Sequence, residues 1–315
     1  MGLPSERGYD ARIAVVVLHY RTPGLVLQCL ETLVPEVDPE RDRVIVVDNA
    51  SGDESAARIH EGLRARHLAG VRLLVSPVNG GFAAGNNLGV RAVRARAYLL
   101  LNSDTLLRPG AVERLWAALQ DHPEAGLVSP RLEWPSGEPQ ISCFRFLTPW
   151  SELIAAAGTA PVRSLLARWD VPIPVRDVGF APDWTSFAAV LIRDEALARV
   201  GPLDEGFFMY FEDVDYCWRA ARAGWRTWHE PRARVVHLRG GTSPVKAQKA
   251  RGERRPSYYY ASRRRYFRNT RGRLGPAAAN LMWTLGRLVS WTRETFGRKA
   301  RHTVERELLD IWAAR

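Results

Sequence analysis

Four short apolar runs in the first hundred residues, "IAVVVL" (13–18), "RVIVVD" (43–48), "VRLLVS" (71–76) and "AYLLLN" (97–102), constrain this chain more than any other feature. Each is apolar without polar alternation, the pattern of a strand buried on both faces. Helix-like segments near 24–34, 54–68 and 82–94 separate them. Strands and helices in this alternation predict a parallel sheet covered by helices, with ligands bound beyond the C-terminal ends of the strands. Polar loops follow three of those ends: "DNASGD", "PVNGGFAAGNN" and "NSDT". Turns favour Asn, Asp, Ser and Gly for conformational reasons alone, yet three such loops on one sheet edge point to a binding edge.

Several function classes are disfavoured. In "NGGFAAGNNLG" the spacing is not the GxGxxG of a dinucleotide fold, and the chain contains no GxxxxGK[ST] phosphate loop. Cys29, Cys143 and Cys217 are isolated, with no CxxC pair and no His-rich spacing around them. That argues against a disulfide framework and a zinc knuckle and fits a reducing cytosol. The first apolar run is too short for a signal sequence or a membrane span. The net charge of +11 is concentrated: residues 246–315 hold 18 Lys and Arg against 5 Asp and Glu, and residues 1–245 hold 27 against 29.

Later segments are less regular. Residues 134–150 and 158–182 are rich in Pro and Gly and read as loops or short hairpins, followed by "WTSFAAVLIR" (184–193) as a strand returning to the core. The stretch "GFFMYFEDVDYCWRAARAGW" (206–225) sets Glu212, Asp213 and Asp215 directly after large aromatic residues. A helix over 214–223 with Gly224 as its stop accounts for acids at its start, and Asp215 lies four residues before Arg219, at ion-pair spacing. Glu212 and Asp213 fit that account less well, because an aromatic cleft raises a carboxylate towards the range of a working base. "RTWHEP" and "RARVVHLRGGTS" read as two short edge elements.

Taken in order, "VVDNASGD", "NGGFAAGNNLG", "LLLNSDT", "DWTSFAAVLIR", "GPLDEGFFMYFEDVDYCWRAARAGW" and "VVHLRGGTS" resemble the inverting family 2 glycosyltransferases, in the branch with rhamnosyltransferases and galactofuranosyltransferases. The resemblance covers about residues 11–243. It implies a GT-A fold: α/β, with a Rossmann-like, mostly parallel sheet flanked by helices in a catalytic domain over 1–245, and a basic helical C-terminal extension over 246–315. The implied reaction moves a sugar from a nucleotide-sugar donor, of dTDP-rhamnose or UDP-sugar type, to a hydroxyl of a glycan or lipid-linked acceptor in surface polysaccharide synthesis.

The resemblance also implies roles. A departing nucleoside diphosphate needs its charge stabilised, and a divalent cation, Mn²⁺ or Mg²⁺, does this well. The family's DxD motif reads Asn102, Ser103, Asp104 here, so Asp104 is the implied metal ligand and Asn102 contacts the donor sugar or supports the metal ligand, against a plain turn. His237 resembles a late histidine that joins the metal, against a purely structural role. Asp48 would bind the base or ribose, or cap the next helix. Asn79, Gly81 and Asn86 form a donor loop, or simply pack helix on strand. Asp213 would be the base that deprotonates the acceptor, with Glu212 orienting the acceptor or that base, and Trp184 an acceptor or sugar wall or a core residue. Two departures bear on donor specificity: Phe187 stands where the family usually has glycine, and Arg21 where it usually has asparagine.

Within the extension, Ala278, Leu281, Met282, Leu285, Leu288, Val289 and Phe296 recur at helical spacing. This reads as an amphipathic helix that lies on an anionic bilayer, placing the protein in the cytoplasm or at the inner face of the cell membrane, or else packs on the protein itself. Arginine interleaved with tyrosine in "YYYASRRRYFRNTRGR" keeps a nucleic-acid or membrane-surface binder on an inactive α/β scaffold as an alternative. Asp104, Asp213 and His237 together, in a slightly acidic first domain, disfavour nucleic acid as the partner. A nucleotidyltransferase shares the alternating layout but needs a basic phosphate loop near the N-terminus, and "HYRTPG" is a poor one.

Overall fold

The computed structural model describes residues 8–239, 251–297 and 303–314. The first half alternates as the apolar runs predict: β1 (Ala11–His19), α1 (Pro23–Leu33), β2 (Arg43–Asp48), α2 (Ser55–Ala65), β3 (Val71–Val75), α3 (Gly81–Arg91) and β4 (Ala95–Asn102). All nine residues of β1 are buried, because its two neighbours are β2 and β4, both parallel to it, and helices cover both faces. This is why no polar residue interrupts its apolar run.

After β4 the chain forms β5 (Thr105–Leu107), α4 (Ala111–Asp121), β6 (Ala125–Glu133), β7 (Cys143–Phe144), α5 (Pro149–Ala157), α6 (Ala160–Leu165), β8 (Trp184–Thr185), β9 (Ala189–Arg193), α7 (Asp194–Val200), α8 (Glu212–Arg222) and β10 (Arg226–His237). The main sheet has the order β3-β2-β1-β4-β9-β6-β10-β5. It is parallel except at β9, which runs against β4 and β6, and at β5, which runs against β10. Because β5 follows β4 after two residues yet pairs at the far side of β10, the sheet curls back over its own C-terminal edge.

Three sequence readings change. The run 184–193 is broken: Trp184–Thr185 pairs with β7 in a separate two-stranded sheet, and only Ala189–Arg193 enters the main one. The two expected edge elements are one twelve-residue strand, β10, lying between β6 and β5 and kinked by a register shift between Glu230 and Arg234. Residues 149–165, read partly as loop, hold α5 and α6. Thr148 and Ser151 close a reciprocal cap around Pro149, and Gly158, at φ +57°, ends α5.

The C-terminal extension forms α9 (Ser257–Arg271), α10 (Gly275–Phe296) and α11 (Glu307–Ala313). These helices share core with the rest of the chain. Tyr266 and Phe267 of α9 join Phe207, Phe211 and Val214 in one buried cluster. The buried Arg263 donates twice to Glu152 of α5, at 2.9 and 2.8 Å, and once to Asn280 of α10, at 2.6 Å.

Candidate active site

The polar loops at the C-terminal ends of β1, β2 and β4 are bonded to one another. At the end of β1, Arg21 takes φ +56°, donates its backbone N–H to Ser51 Oγ at 2.8 Å and its Nε to the Ser51 carbonyl at 2.9 Å. Thr22 and Ser103 share a hydroxyl contact at 3.1 Å. Asp48, buried at the end of β2, accepts from the Ser51 N–H at 2.9 Å. Asn49 Nδ2 reaches Asn79 Oδ1 and the Gly81 carbonyl, both at 3.0 Å. These bonds fix the relative position of loops whose sequences taken alone are ordinary turns.

The glycine-rich loop is fixed on its other side to the aromatic stretch. Gly81 sits at φ +85°, and a Cβ there would lie 2.0 Å from the Phe208 carbonyl oxygen. The next residue, Phe82, donates its N–H to that oxygen at 2.7 Å. Tyr210 and Phe211 then take φ +70° and +72° in succession. Large residues rarely hold the left-handed region, and this pair turns the chain sharply into α8. Helix α9 supports the turn: Ser262 Oγ donates to the Met209 carbonyl at 3.1 Å, and Tyr258 and Tyr259 lie against Phe208, Tyr210 and Phe211.

The three acids after this turn have different surroundings. Asp215 is fully buried and satisfied, accepting from Arg219 at 2.9 Å and from Asn269 of α9 at 3.0 Å. Asp213 is half-buried and accepts from the Val214 N–H at 2.8 Å. Glu212 is buried with Oε2 lacking a hydrogen-bond partner. Burial first, then the neighbouring charge of Asp213, pushes its carboxyl well above the ordinary range.

The curl of the sheet brings Asp104 against His237, because Thr105 pairs with His237 between β5 and β10. His237 Nε2 lies 3.5 Å from Asp104 Oδ1, and both residues are buried. Neither Asp104 Oδ1 nor His237 Nδ1 has a hydrogen-bond partner. Asn102 is half-buried and spends its backbone groups on Ala188 and Thr105. Among the described residues no group of three or more His, Cys, Asp or Glu side chains could hold a metal ion. Asp104 and His237 therefore offer one oxygen and one nitrogen, a partial set whose remaining positions a ligand or water would fill.

Other predicted residues sit less openly. Asn86 is buried within α3 and donates to the Phe82 carbonyl at 3.0 Å, with its Oδ1 lacking a partner. Trp184 is half-buried, stacked on Phe144 at 4.3 Å, with its Nε1 donating to the Arg145 carbonyl at 2.9 Å. Phe187 points inward against Tyr216. The sequence reading passed over His19, whose imidazole is buried 3.9 Å from Asp48 with neither ring nitrogen hydrogen-bonded. Burial holds it below its ordinary pKa; its place at the end of β1 was the available signal. Residues 240–243 of the last motif lie outside the described residues. A separate cavity of about 1020 Å³ opens at the opposite sheet edge, lined in part by Tyr9, Arg12, Trp116 and Asp194, and none of the predicted site residues borders it.

A curled, mostly parallel sheet whose loops converge on one edge is the architecture of the GT-A glycosyltransferases, and solved structures of that class share it. The mannosyltransferase PcManGT of Pyrobaculum calidifontis, solved with GDP-Man and Mn²⁺, aligns at TM-score 0.56 and 14% identity over 91% of this chain and 76% of its own. GalNAc-T7, solved with UDP, GalNAc and Mn²⁺, aligns at TM-score 0.60 and 12% identity over 90% and 55%. Residues 14–144, less than half of the chain, match the family described as Glycosyl transferase family 2. An N-acetylglucosaminyl-diphospho-decaprenol L-rhamnosyltransferase of Mycobacterium tuberculosis is 27% identical over 210 residues, 62% of this chain and 66% of the relative. A pre-mycofactocin glycosyltransferase of the same organism is 33% identical over 196 residues, 62% of this chain and 37% of the relative. The matched stretches thus span less than two thirds of either relative.

Proposed function

We propose that this protein transfers a sugar, with inversion, from a nucleotide-sugar donor of dTDP-rhamnose or UDP-sugar type to a hydroxyl of a glycan or lipid-linked acceptor. The observation that carries the reading is the bond from Phe82 to Phe208, which holds the donor-side loop and the acidic turn in one rigid unit. Asp48 and the Asn79–Gly81 loop bind the nucleotide, and Asn86 shapes the helix start behind that loop. Asp104 and His237 hold a divalent cation, Mn²⁺ or Mg²⁺, and Asn102 lies beside them as a donor contact. Bound there, the cation stabilises the negative charge of the departing diphosphate.

Asp213 accepts the proton of the acceptor hydroxyl as that oxygen attacks the anomeric carbon from the face opposite the diphosphate. It is half-buried, whereas Glu212 and Asp215 are buried, and Asp215 is committed to Arg219 and Asn269. Glu212, whose carboxyl burial pushes well above its ordinary range, orients Asp213 or the acceptor. Trp184 forms an apolar wall beside α8, suited to a sugar face.

The test is calorimetry of UDP and dTDP binding with Mn²⁺ and with chelator. Wild type should bind at least about tenfold more weakly without metal, and Asp104→Ala should abolish the difference. Equal affinity with and without metal would sink the assignment of Asp104 and His237.

A further inference from the structure

Helix α10 is built with its faces reversed relative to an ordinary amphipathic helix, which buries its large apolar residues and exposes polar ones. The buried face carries Ala279, Gly286 and Ser290 besides Trp283 and Asn280, and it meets α5 at Gly286 and Trp283. At Gly286 the two helices approach so closely that a Cβ would meet the Leu153 carbonyl at 2.4 Å. The opposite face carries the large residues. Leu281, Leu288 and Trp291 are each 53–54% exposed, and Leu285 is 42% exposed.

The neighbouring α11 extends this face. Its Trp312 donates Nε1 to Thr284 Oγ1 of α10 at 3.4 Å. Thr284 sits three residues after Leu281 and four before Leu288, so it lies among them on the helix surface. Trp312 and Leu309 are more than half exposed as well. Two helices therefore present one apolar surface with two tryptophans. No helix among the described residues is long and apolar enough to cross a membrane.

Charge selects the occupant. Four of the five acids in residues 246–315 are already ion-paired within this region: Glu253 with Arg251, Glu294 with Arg287, Glu307 with Arg255 and Asp310 with Arg254. The exposed Arg268, Arg271 and Arg273 precede α10, and Arg298, Lys299 and Arg301 follow it in the sequence. An apolar stripe with two exposed tryptophans, preceded by the exposed Arg268, Arg271 and Arg273, fits anionic phospholipid headgroups over an acyl boundary. We infer that the outer faces of α10 and α11 form a seat for an anionic bilayer surface. The inference is independent of the transfer chemistry, since it concerns residues outside the site and is read without turnover.

The experiment uses the full chain in flotation with phosphatidylglycerol/phosphatidylcholine vesicles and with phosphatidylcholine alone, at low and high salt. Wild type should float with the anionic vesicles, and less so at high salt. Leu281→Glu/Leu285→Glu/Leu288→Glu should reduce the bound fraction at least about tenfold, with unchanged melting temperature and UDP affinity. Protein left in the aqueous phase, or a triple variant that floats like wild type, would overturn the inference. So would binding indifferent to lipid charge. Sedimentation velocity covers the rival occupant: a wild-type dimer that ignores vesicles and becomes monomeric in the triple variant would make the face a contact between copies.

Discussion

Replacing Gly81 by alanine should damage stability and turnover together, for a reason readable from one contact. The new Cβ would sit 2.0 Å from the Phe208 carbonyl oxygen, so the two backbones must separate by about 1.4 Å to reach ordinary contact near 3.4 Å. That movement breaks the 2.7 Å bond from Phe82, a loss of about 1 kcal/mol. The left-handed φ of +85° costs an alanine roughly 1–2 kcal/mol more. The sum of about 2–3 kcal/mol corresponds to a fall of about 5 °C in melting temperature for a chain of this size.

The same displacement carries Phe208 to Phe211, and with them the start of α8, away from the donor loop. A shift of about 1 Å in a catalytic group commonly costs about a hundredfold in rate. Gly70→Ala isolates the contact, because Gly70 also has a positive φ, +78°, but faces open space. It should lose about 1 kcal/mol and keep wild-type transfer. Thermal denaturation and sugar transfer at 25 °C on the three proteins decide the matter. If Gly81→Ala behaves like Gly70→Ala in both assays, the coupling of the two loops is wrong.

Asp213→Asn should leave a folded protein that binds nucleotide but transfers sugar at least about a hundredfold more slowly; near-normal transfer would remove Asp213 as the base. Asp215→Asn should instead lower stability by about 3 kcal/mol, since it weakens a buried ion pair, while retaining most activity in the cold; the reverse pattern would move the base to Asp215. Glu212 has a folded-state pKa raised above its unfolded value, so its contribution to stability is complete at low pH and is lost as pH rises through the folded pKa. Glu212→Gln should therefore melt like wild type near pH 4, below the ordinary carboxyl pKa, and above it at pH 8, whatever happens to turnover. A wild type that is the more stable of the two at pH 8 would refute the raised pKa.

The parallel half of the fold was legible because burial on both faces leaves strands without polar residues, and β2 runs over Arg43–Asp48 as the sequence predicts. Elements with one polar neighbour were harder. Pro231 and the arginines around it suggested two edge pieces, whereas a register shift lets a single β10 pass through them between β6 and β5. The position of Asp104 on a loop at the sheet edge could be read from "NSDT", but its contact with His237 depends on the curl of the sheet, a long-range pairing that no local pattern encodes. Nor did the sequence reveal that Gly81 meets Phe208, since the two are joined only by tertiary structure. The large residues of α10 were visible at helical spacing. Which face they occupied was not, because it turns on the small residues opposite them.

The support that α9 gives to the acidic turn has a consequence for synthesis of the chain. The loops that follow β1, β2 and β3 are complete once the ribosome has passed β4, and the acids of α8 follow. The turn at Tyr210 and Phe211 still lacks Tyr259 and Ser262, and Asp215 lacks Asn269, until α9 has emerged. A nascent chain therefore carries Glu212, Asp213 and Asp215 beside a turn that α9 does not yet support. Any fusion or chimera that exchanges the C-terminal helices re-specifies the geometry of the turn that carries Asp213 along with them.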